Sequence, residues 1–133
     1  MIYTKDNPKL VKNCFIFEGK DTFTGVVKDK KGNIAYFLNG KFHRKDEPAI
    51  EFADGSKFWI LNNEYHREGR PAIEWTSGSK EWLLNGKHSR GDGPSFEYVD
   101  GGKSWYLNGM CYGRGNDFTN ESWTRFVKLE LLK

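Results

Sequence analysis

The sequence predicts an all-β fold, a twisted antiparallel β-meander of 23-residue hairpin repeats closed by a short C-terminal capping α-helix. Three observations carry this prediction. Leu38, Leu61, Leu84 and Leu107 recur at a fixed step of 23 residues, each followed by an asparagine: Asn39, Asn62, Asn85 and Asn108. A period of that length marks stacked structural units. Each unit also holds two sets of turn residues, and the pattern changes after Thr119, where Trp123, Phe126, Val127, Leu131 and Leu132 take helical spacing.

The elements follow in chain order. Residues 1–14 are polar and unrepeated, and read as an N-terminal cap or edge strand. Residues 15–33 are a degenerate repeat, with Glu18-Gly19-Lys20 standing for the first turn and Lys31-Gly32-Asn33 for the second hairpin. Residues 34–115 hold the regular copies. In these, Pro48, Pro71 and Pro94 open a strand, at a position that need not donate to the ladder. Asp54-Gly55, Ser77-Gly78 and Asp100-Gly101 tolerate positive φ and read as two-residue primed turns.

Counting outward from those turns sets an expected register. Ile50 faces Trp59, Ile73 faces Trp82 and Phe96 faces Trp105, while Phe52, Trp75 and Tyr98 face Lys57, Lys80 and Lys103. Directly opposed residues share a sheet face, so the apolar row, the tryptophan row and the lysine stems are expected to form the core together. On the other face the same register sets Glu74 against Glu81, a like-charge pair that Arg67 or Arg90 would have to relieve. Asn39-Gly40, Asn62-Asn63, Asn85-Gly86 and Asn108-Gly109 form the second turn of each unit. Residues 116–133 form the helix, capped by Thr119. Glu121 near its start and Lys128 and Lys133 toward its end suit the helix dipole. The helix is expected to cover the apolar face of the last strands, since a single-layer sheet must hide one face from water.

Bulk properties bound the function. A chain of 133 residues is one domain. Aromatic residues reach 16% within a hydrophobic content of only 37%, so a few large rings carry most of the burial. A net charge of +3 makes phosphate attraction mild beside that of a dedicated nucleic-acid binder. Cys14 and Cys111 lie far apart without Cys/His spacing, which speaks against a metal site or a disulfide framework. Residues 1–8 lack an apolar signal core and no stretch of about eighteen apolar residues occurs, so a cytoplasmic protein without a membrane span is expected.

The segments LNGKFHRKDEPAIEFADGSKFW (38–59), LNNEYHREGRPAIEWTSGSKEW (61–82) and LNGKHSRGDGPSFEYVDGGKSW (84–105) resemble the MORN-like tandem repeats, whose unit runs LNGK, HREDGPA, an aromatic residue and DGxKxW. The ending DFTNESWTRFVKLELLK is similar to the amphipathic helix that closes such arrays. The likeness covers nearly all of the chain beyond residue 15. Ser89 and Tyr112 depart from it where His43 and His66 stand, as do Asn63 at a glycine and Gly113 at an arginine. The resemblance implies a β-meander scaffold common in bacteriophages, large viruses and bacteria, with protein contacts, dimerisation and sometimes lipid headgroups as its partners. It supplies no catalytic residue and no cofactor. The expected setting is a phage or mobile-element accessory protein that occludes a host factor such as a CRISPR or other defence effector.

Three candidate surfaces follow. His43 and His66 with Glu51 and Glu74 have the side chains of an acid-base or metal site, yet they recur at the repeat period, which favours a polar ladder over a reactive group. No enzyme is expected. The lysine and tryptophan rows could stack single-stranded bases, provided Trp59, Trp82 and Trp105 are exposed. The favoured site is a protein-binding strip on the other face: Phe37, Phe58, Ile60, Leu83 and Tyr106, rimmed by Arg44, Arg67 and Arg90. Sheet edges give a second route to a partner or to a second copy of the chain. Trp59, Trp82 and Trp105, Pro48, Pro71 and Pro94, and Gly55, Gly78 and Gly101 are assigned structural roles.

Overall fold

The structure, a computed structural model, describes residues 2–4, 8–11, 14–17 and 23–131, with side chains from residue 23 onward. Its strands are β1 (Ile2–Thr4), β2 (Pro8–Val11), β3 (Cys14–Phe17), β4 (Gly25–Lys28), β5 (Ile34–Leu38), β6 (Lys41–Phe42), β7 (Ile50–Glu51), β8 (Lys57–Phe58) and β9 (Ile60–Leu61). They continue as β10 (Glu64–Tyr65), β11 (Ile73–Glu74), β12 (Lys80–Glu81), β13 (Leu83–Leu84), β14 (Lys87–His88), β15 (Phe96–Glu97), β16 (Lys103–Leu107) and β17 (Met110–Arg114). One helix, α1 (Asn120–Phe126), runs on into a π-type turn at Val127–Leu131. Neighbours in the main sheet run β1-β4-β5-β7-β8-β11-β12-β15-β16-β17, antiparallel except for β1 on β4. The fold is therefore an all-β meander with a helical C-terminal cap. Among the described residues no helix is long and apolar enough to cross a membrane.

The asparagine turns are two-residue loops. Leu38 pairs with Lys41, Leu61 with Glu64, Leu84 with Lys87 and Leu107 with Met110. Both loop residues take positive φ, Asn85 at 50° and Gly86 at 79° for example, as a type I′ turn requires. Asn62-Asn63 manages the same geometry at 48° and 67°.

The aspartate-glycine turns differ from the expected two-residue form. Phe52 N–H donates to the Ser56 carbonyl at 2.9 Å and Gly55 N–H to the Phe52 carbonyl at 2.9 Å, which encloses three residues. Only Gly55, at φ 99°, takes positive φ, so the loop is a type I turn followed by a glycine bulge. Asp54 Oδ1 fixes it by accepting from Ser56 N–H at 2.8 Å, and Asp100 does the same for Gly102 at 2.9 Å. The extra residue shifts the register by one and exchanges the faces. Ile50 faces Phe58, Ile73 faces Glu81 and Phe96 faces Ser104, and the lysines face Glu51, Glu74 and Glu97. The expected Glu74–Glu81 opposition does not form.

The degenerate first copy is also rephased. Glu18-Gly19-Lys20 lies outside the described residues, but Gly32 has φ 90° and closes a turn from Asp29 to Asn33. It is the equivalent of Gly55 one step earlier, so Lys31-Gly32-Asn33 belongs to the first turn type rather than the second hairpin.

At Trp59 the chain leaves one ladder for another. Lys57–Phe58 pair within the main sheet, whereas Ile60–Leu61 pair with Glu64–Tyr65 in a side hairpin. Successive side hairpins are tied by Asn63 N–H to the Phe42 carbonyl (3.0 Å) and Gly86 N–H to the Tyr65 carbonyl (2.8 Å). The core lies on the Ile50 face: Val27, Ala35, Phe37, Ile50, Phe58, Ile60, Ile73 and Leu83 are buried there with Phe42, Phe52, Tyr65 and Trp75 packed around them. The tryptophan row points to the opposite face.

The helix caps that second face, not the apolar one. Thr119 Oγ1 accepts from Ser122 N–H at 3.0 Å and Ser122 Oγ from Thr119 N–H at 2.8 Å, a reciprocal N-cap. Trp123 and Val127 then bury against Trp105, with Phe118, Phe126 and Leu131 around them. Leu132 and Lys133 lie outside the described residues.

Candidate functional site

The predicted binding strip is core. Phe37, Phe58, Ile60 and Leu83 are buried in the apolar core, and only Tyr106 stays half-buried. The correction has the same cause as the register shift: once Phe58 faces Ile50, the strip and the apolar row share one face.

Arg44, Arg67 and Arg90 serve the stack. Their guanidinium carbons lie 3.8, 3.7 and 3.9 Å from the ring centres of Tyr36, Trp59 and Trp82. Each donates to a proline carbonyl, Pro48 at 3.4 Å, Pro71 at 3.1 Å and Pro94 at 3.2 Å. Each also faces a strand glutamate, Glu51 at 3.9 Å, Glu74 at 3.2 Å and Glu97 at 2.8 Å. Burial pushes the Arg67 pKa below the usual arginine value; Glu74 opposes that and Arg70 adds to it. The arginine period thus records a repeated stack of cation, aromatic ring and carboxylate.

The histidines are backbone acceptors. His43 Nδ1 accepts from Asn62 N–H at 3.1 Å and His66 Nδ1 from Asn85 N–H at 2.9 Å. Ser89 Oγ accepts from Asn108 N–H at 3.0 Å, so the serine that departs from the repeat does the same work. A second polar ladder escaped the sequence reading: Asn33 Oδ1, Ser56 Oγ and Ser79 Oγ accept from the backbone N–H of Ala53, Thr76 and Val99 at 2.8, 2.9 and 3.0 Å. The signal was present, since Asn33, Ser56 and Ser79 also keep the 23-residue step.

Two surfaces among the described residues combine rings or cations outside the ladders. The first lies on the core face where the array nears its end. Phe58 and Tyr65 meet there as rings 5.5 Å apart, but their equivalents in the next copy are Glu81 and His88, whose Oε1 and Nε2 lie 2.9 Å apart. Trp75 Nε1–H donates to Glu81 Oε2 at 2.6 Å. Beside this pair the rings climb outward: His88 stacks on Phe96 at 4.2 Å, Phe96 on Tyr98 at 5.4 Å and 9°, and Tyr106 leans on both His88 and Phe96. Tyr98 is 44% exposed and its neighbour Val99 66%. Burial, then the neighbouring Cys111, raises the Tyr106 pKa above the usual tyrosine value. The last strand of the sheet, β17, carries exposed Met110 and the free thiol of Cys111, while Tyr112 turns to the cap and meets Trp123 and Phe126 at 6.0 and 5.9 Å.

The second surface is a groove of about 440 Å³ on the tryptophan face, lined by Arg44, Lys45, Trp59, His66, Arg67 and Arg70, with Asp46 and Glu68 at its rim and Leu61 within. One repeat along, a smaller groove of about 300 Å³ runs past Trp82, Leu84, Ser89 and Arg90. Neither surface gathers three His, Cys, Asp or Glu side chains at metal-binding distances among the described residues. Comparison with protein families, curated proteins and solved structures returned no match for this chain.

Proposed function

We propose that the protein is a non-enzymatic binding module that docks another protein through the aromatic face built by His88, Phe96, Tyr98, Val99 and Tyr106. The observation that carries this reading is the step from a sealed core to open rings on one continuous face. Ile50 and Phe58 are buried, while Tyr98 at an equivalent position of Phe52 is 44% exposed and stacked on Phe96. Rigid aromatic rings held by their neighbours lose little entropy on docking and bring large contact area, the usual make-up of an interface anchor. The single-stranded nucleic-acid reading needed exposed indoles at Trp59, Trp82 and Trp105, and these are buried. The setting of a phage accessory protein that occludes a host defence effector rests on the repeat resemblance alone.

The test is quantitative capture from the native host with the wild-type chain, a Tyr98→Ala/Val99→Asp variant and a Lys30→Ala control on the far turn. A stoichiometric partner that is retained by the control and lost with the aromatic-face variant supports the reading. No stoichiometric partner, or equal retention by all three, refutes it.

A further inference from the structure

The groove beside Trp59 holds a polar group without a partner. Trp59 is buried, and its Nε1–H is closed to water and makes no hydrogen bond. Two other buried indoles are satisfied: Trp105 Nε1–H donates to the Gly115 carbonyl at 3.0 Å and Trp123 Nε1–H to the Arg90 carbonyl at 2.7 Å. An unsatisfied buried donor is costly to keep and rare in folded proteins. The groove around it is rich in donors. Lys45 and Arg70 are exposed and make no ion pair among the described residues. His66, whose Nδ1 is occupied as an acceptor, turns Nε2 toward Glu68 Oε1 at 3.8 Å.

The last repeat shows what fits such a position. There the chain's own segment from Gly113 to Phe118 lies over Trp105, gives the Gly115 carbonyl to the indole and sets the Phe118 ring 5.6 Å from it. Gly113 permits this, since a Cβ there would lie 2.9 Å from Phe118 Cε2. Trp59 is the equivalent indole two repeats earlier, where the Arg67 guanidinium lies over the ring but no carbonyl of the described chain reaches the indole N–H.

We propose that the groove beside Trp59 binds an extended acidic segment of a partner protein, which brings a main-chain carbonyl to the Trp59 indole and a carboxylate to Arg70 and Lys45. This rests on the reading of the chain as a protein-binding module and names a second surface on it. A peptide suits the site better than a free anion, because the indole N–H is reached only by a group whose further contacts can move the side chains over it. Asp46 and Glu68 at the rim can accept main-chain N–H groups, which a peptide carries and a phosphate dianion or phosphodiester backbone lacks. The neighbouring groove past Trp82 and Leu84 extends the track by one repeat.

The test is titration of the full chain with an end-blocked hexaglutamate peptide, followed through the indole N–H resonances, with the Trp59 signal assigned from Trp59→Phe. Saturable movement of the Trp59 resonance is expected, with binding weakened about tenfold or more by Lys45→Glu/Arg70→Glu and by raised salt. Tyr98→Ala should leave it unchanged. A Trp59 resonance that stays fixed, or affinity indifferent to the charge reversal, overturns the proposal. So does movement of that resonance with phosphoinositide vesicles or an oligonucleotide but not with the peptide. Peptide binding lost in Tyr98→Ala alone would sink the groove and leave the protein-binding reading standing.

Discussion

Replacing Trp123 by alanine should release the C-terminal cap, and the structure allows the loss to be sized. Trp123 has no exposed surface and lies 5.9 Å from Trp105, 4.9 Å from Phe118 and 5.9 Å from Phe126, ring centre to ring centre. Truncating a buried tryptophan to alanine costs about 3–5 kcal/mol when the cavity cannot collapse. The Arg90 carbonyl also loses the indole donor at 2.7 Å, a loss of about 1 kcal/mol. A total of about 5 kcal/mol should lower the melting temperature by about 18 °C in a chain of this length. Trp123→Phe keeps a ring between Trp105 and Phe118 but no donor, and should lose about 1–2 kcal/mol. Urea unfolding followed by far-UV circular dichroism separates the two. Amide exchange should locate the loss in β16 and β17, with β7 and β8 less affected, because stacked repeats couple mainly to their neighbours. An alanine variant within about 1 kcal/mol of wild type, or a phenylalanine variant as weak as the alanine one, would refute the docking described above.

Three further outcomes are expected. His66→Ala should cost about 1–2 kcal/mol by stranding the Asn85 N–H, whereas His66→Ser should stay within about 0.5 kcal/mol because Ser89 fills that role one repeat on; equal losses in urea unfolding would remove the backbone-acceptor role. Glu81→Phe alone should lose about 1–3 kcal/mol, since His88 and Trp75 both lose their acceptor, while Glu81→Phe with His88→Tyr transplants the Phe58–Tyr65 pair and should match or exceed wild type by up to about 2 kcal/mol. A double variant less stable than the single one contradicts this. Gly113→Arg restores the repeat's arginine but drives a side chain into Phe118 and Asp117, so it should cost about 1–3 kcal/mol and alter the near-UV signal of the tryptophan cluster; an unchanged near-UV spectrum counts against the packing.

The period, both turn positions and the Thr119 cap were legible because each depends on local chemistry that a sequence states directly. The faces were not. Whether Asp54-Gly55 closes two residues or three is settled by Asp54 accepting from Ser56 N–H, and that one residue decides whether Phe58 or Trp59 shares a face with Ile50. A miscount at one turn, repeated at each step, moved Phe37, Phe58, Ile60 and Leu83 from core to surface. The aromatic face was missed for a different reason. Attention to what repeats passes over His88 and Glu81, whose equivalents Tyr65 and Phe58 are apolar, although the exchange of two rings for an acid and an imidazole is visible in the chain.

The departures from the period fall into two kinds, and the difference bears on function. Gly113 and the surroundings of Trp105 differ from their equivalents in a way that closes the array: the arginine is removed, the indole gains a carbonyl, and the Phe118 and Trp123 rings pack against it. Those changes are explained by stability, since the end of a stack must be covered. The series Phe58, Glu81, Ser104 and its partners Tyr65, His88, Cys111 has no such explanation, because it replaces core by polar groups and leaves Tyr98, Val99 and Met110 open. Continuing the apolar pair would have buried more surface at each step. We propose this face, which gives up burial one repeat at a time while keeping its rings stacked, together with the Trp59 groove, as the places where binding should be sought.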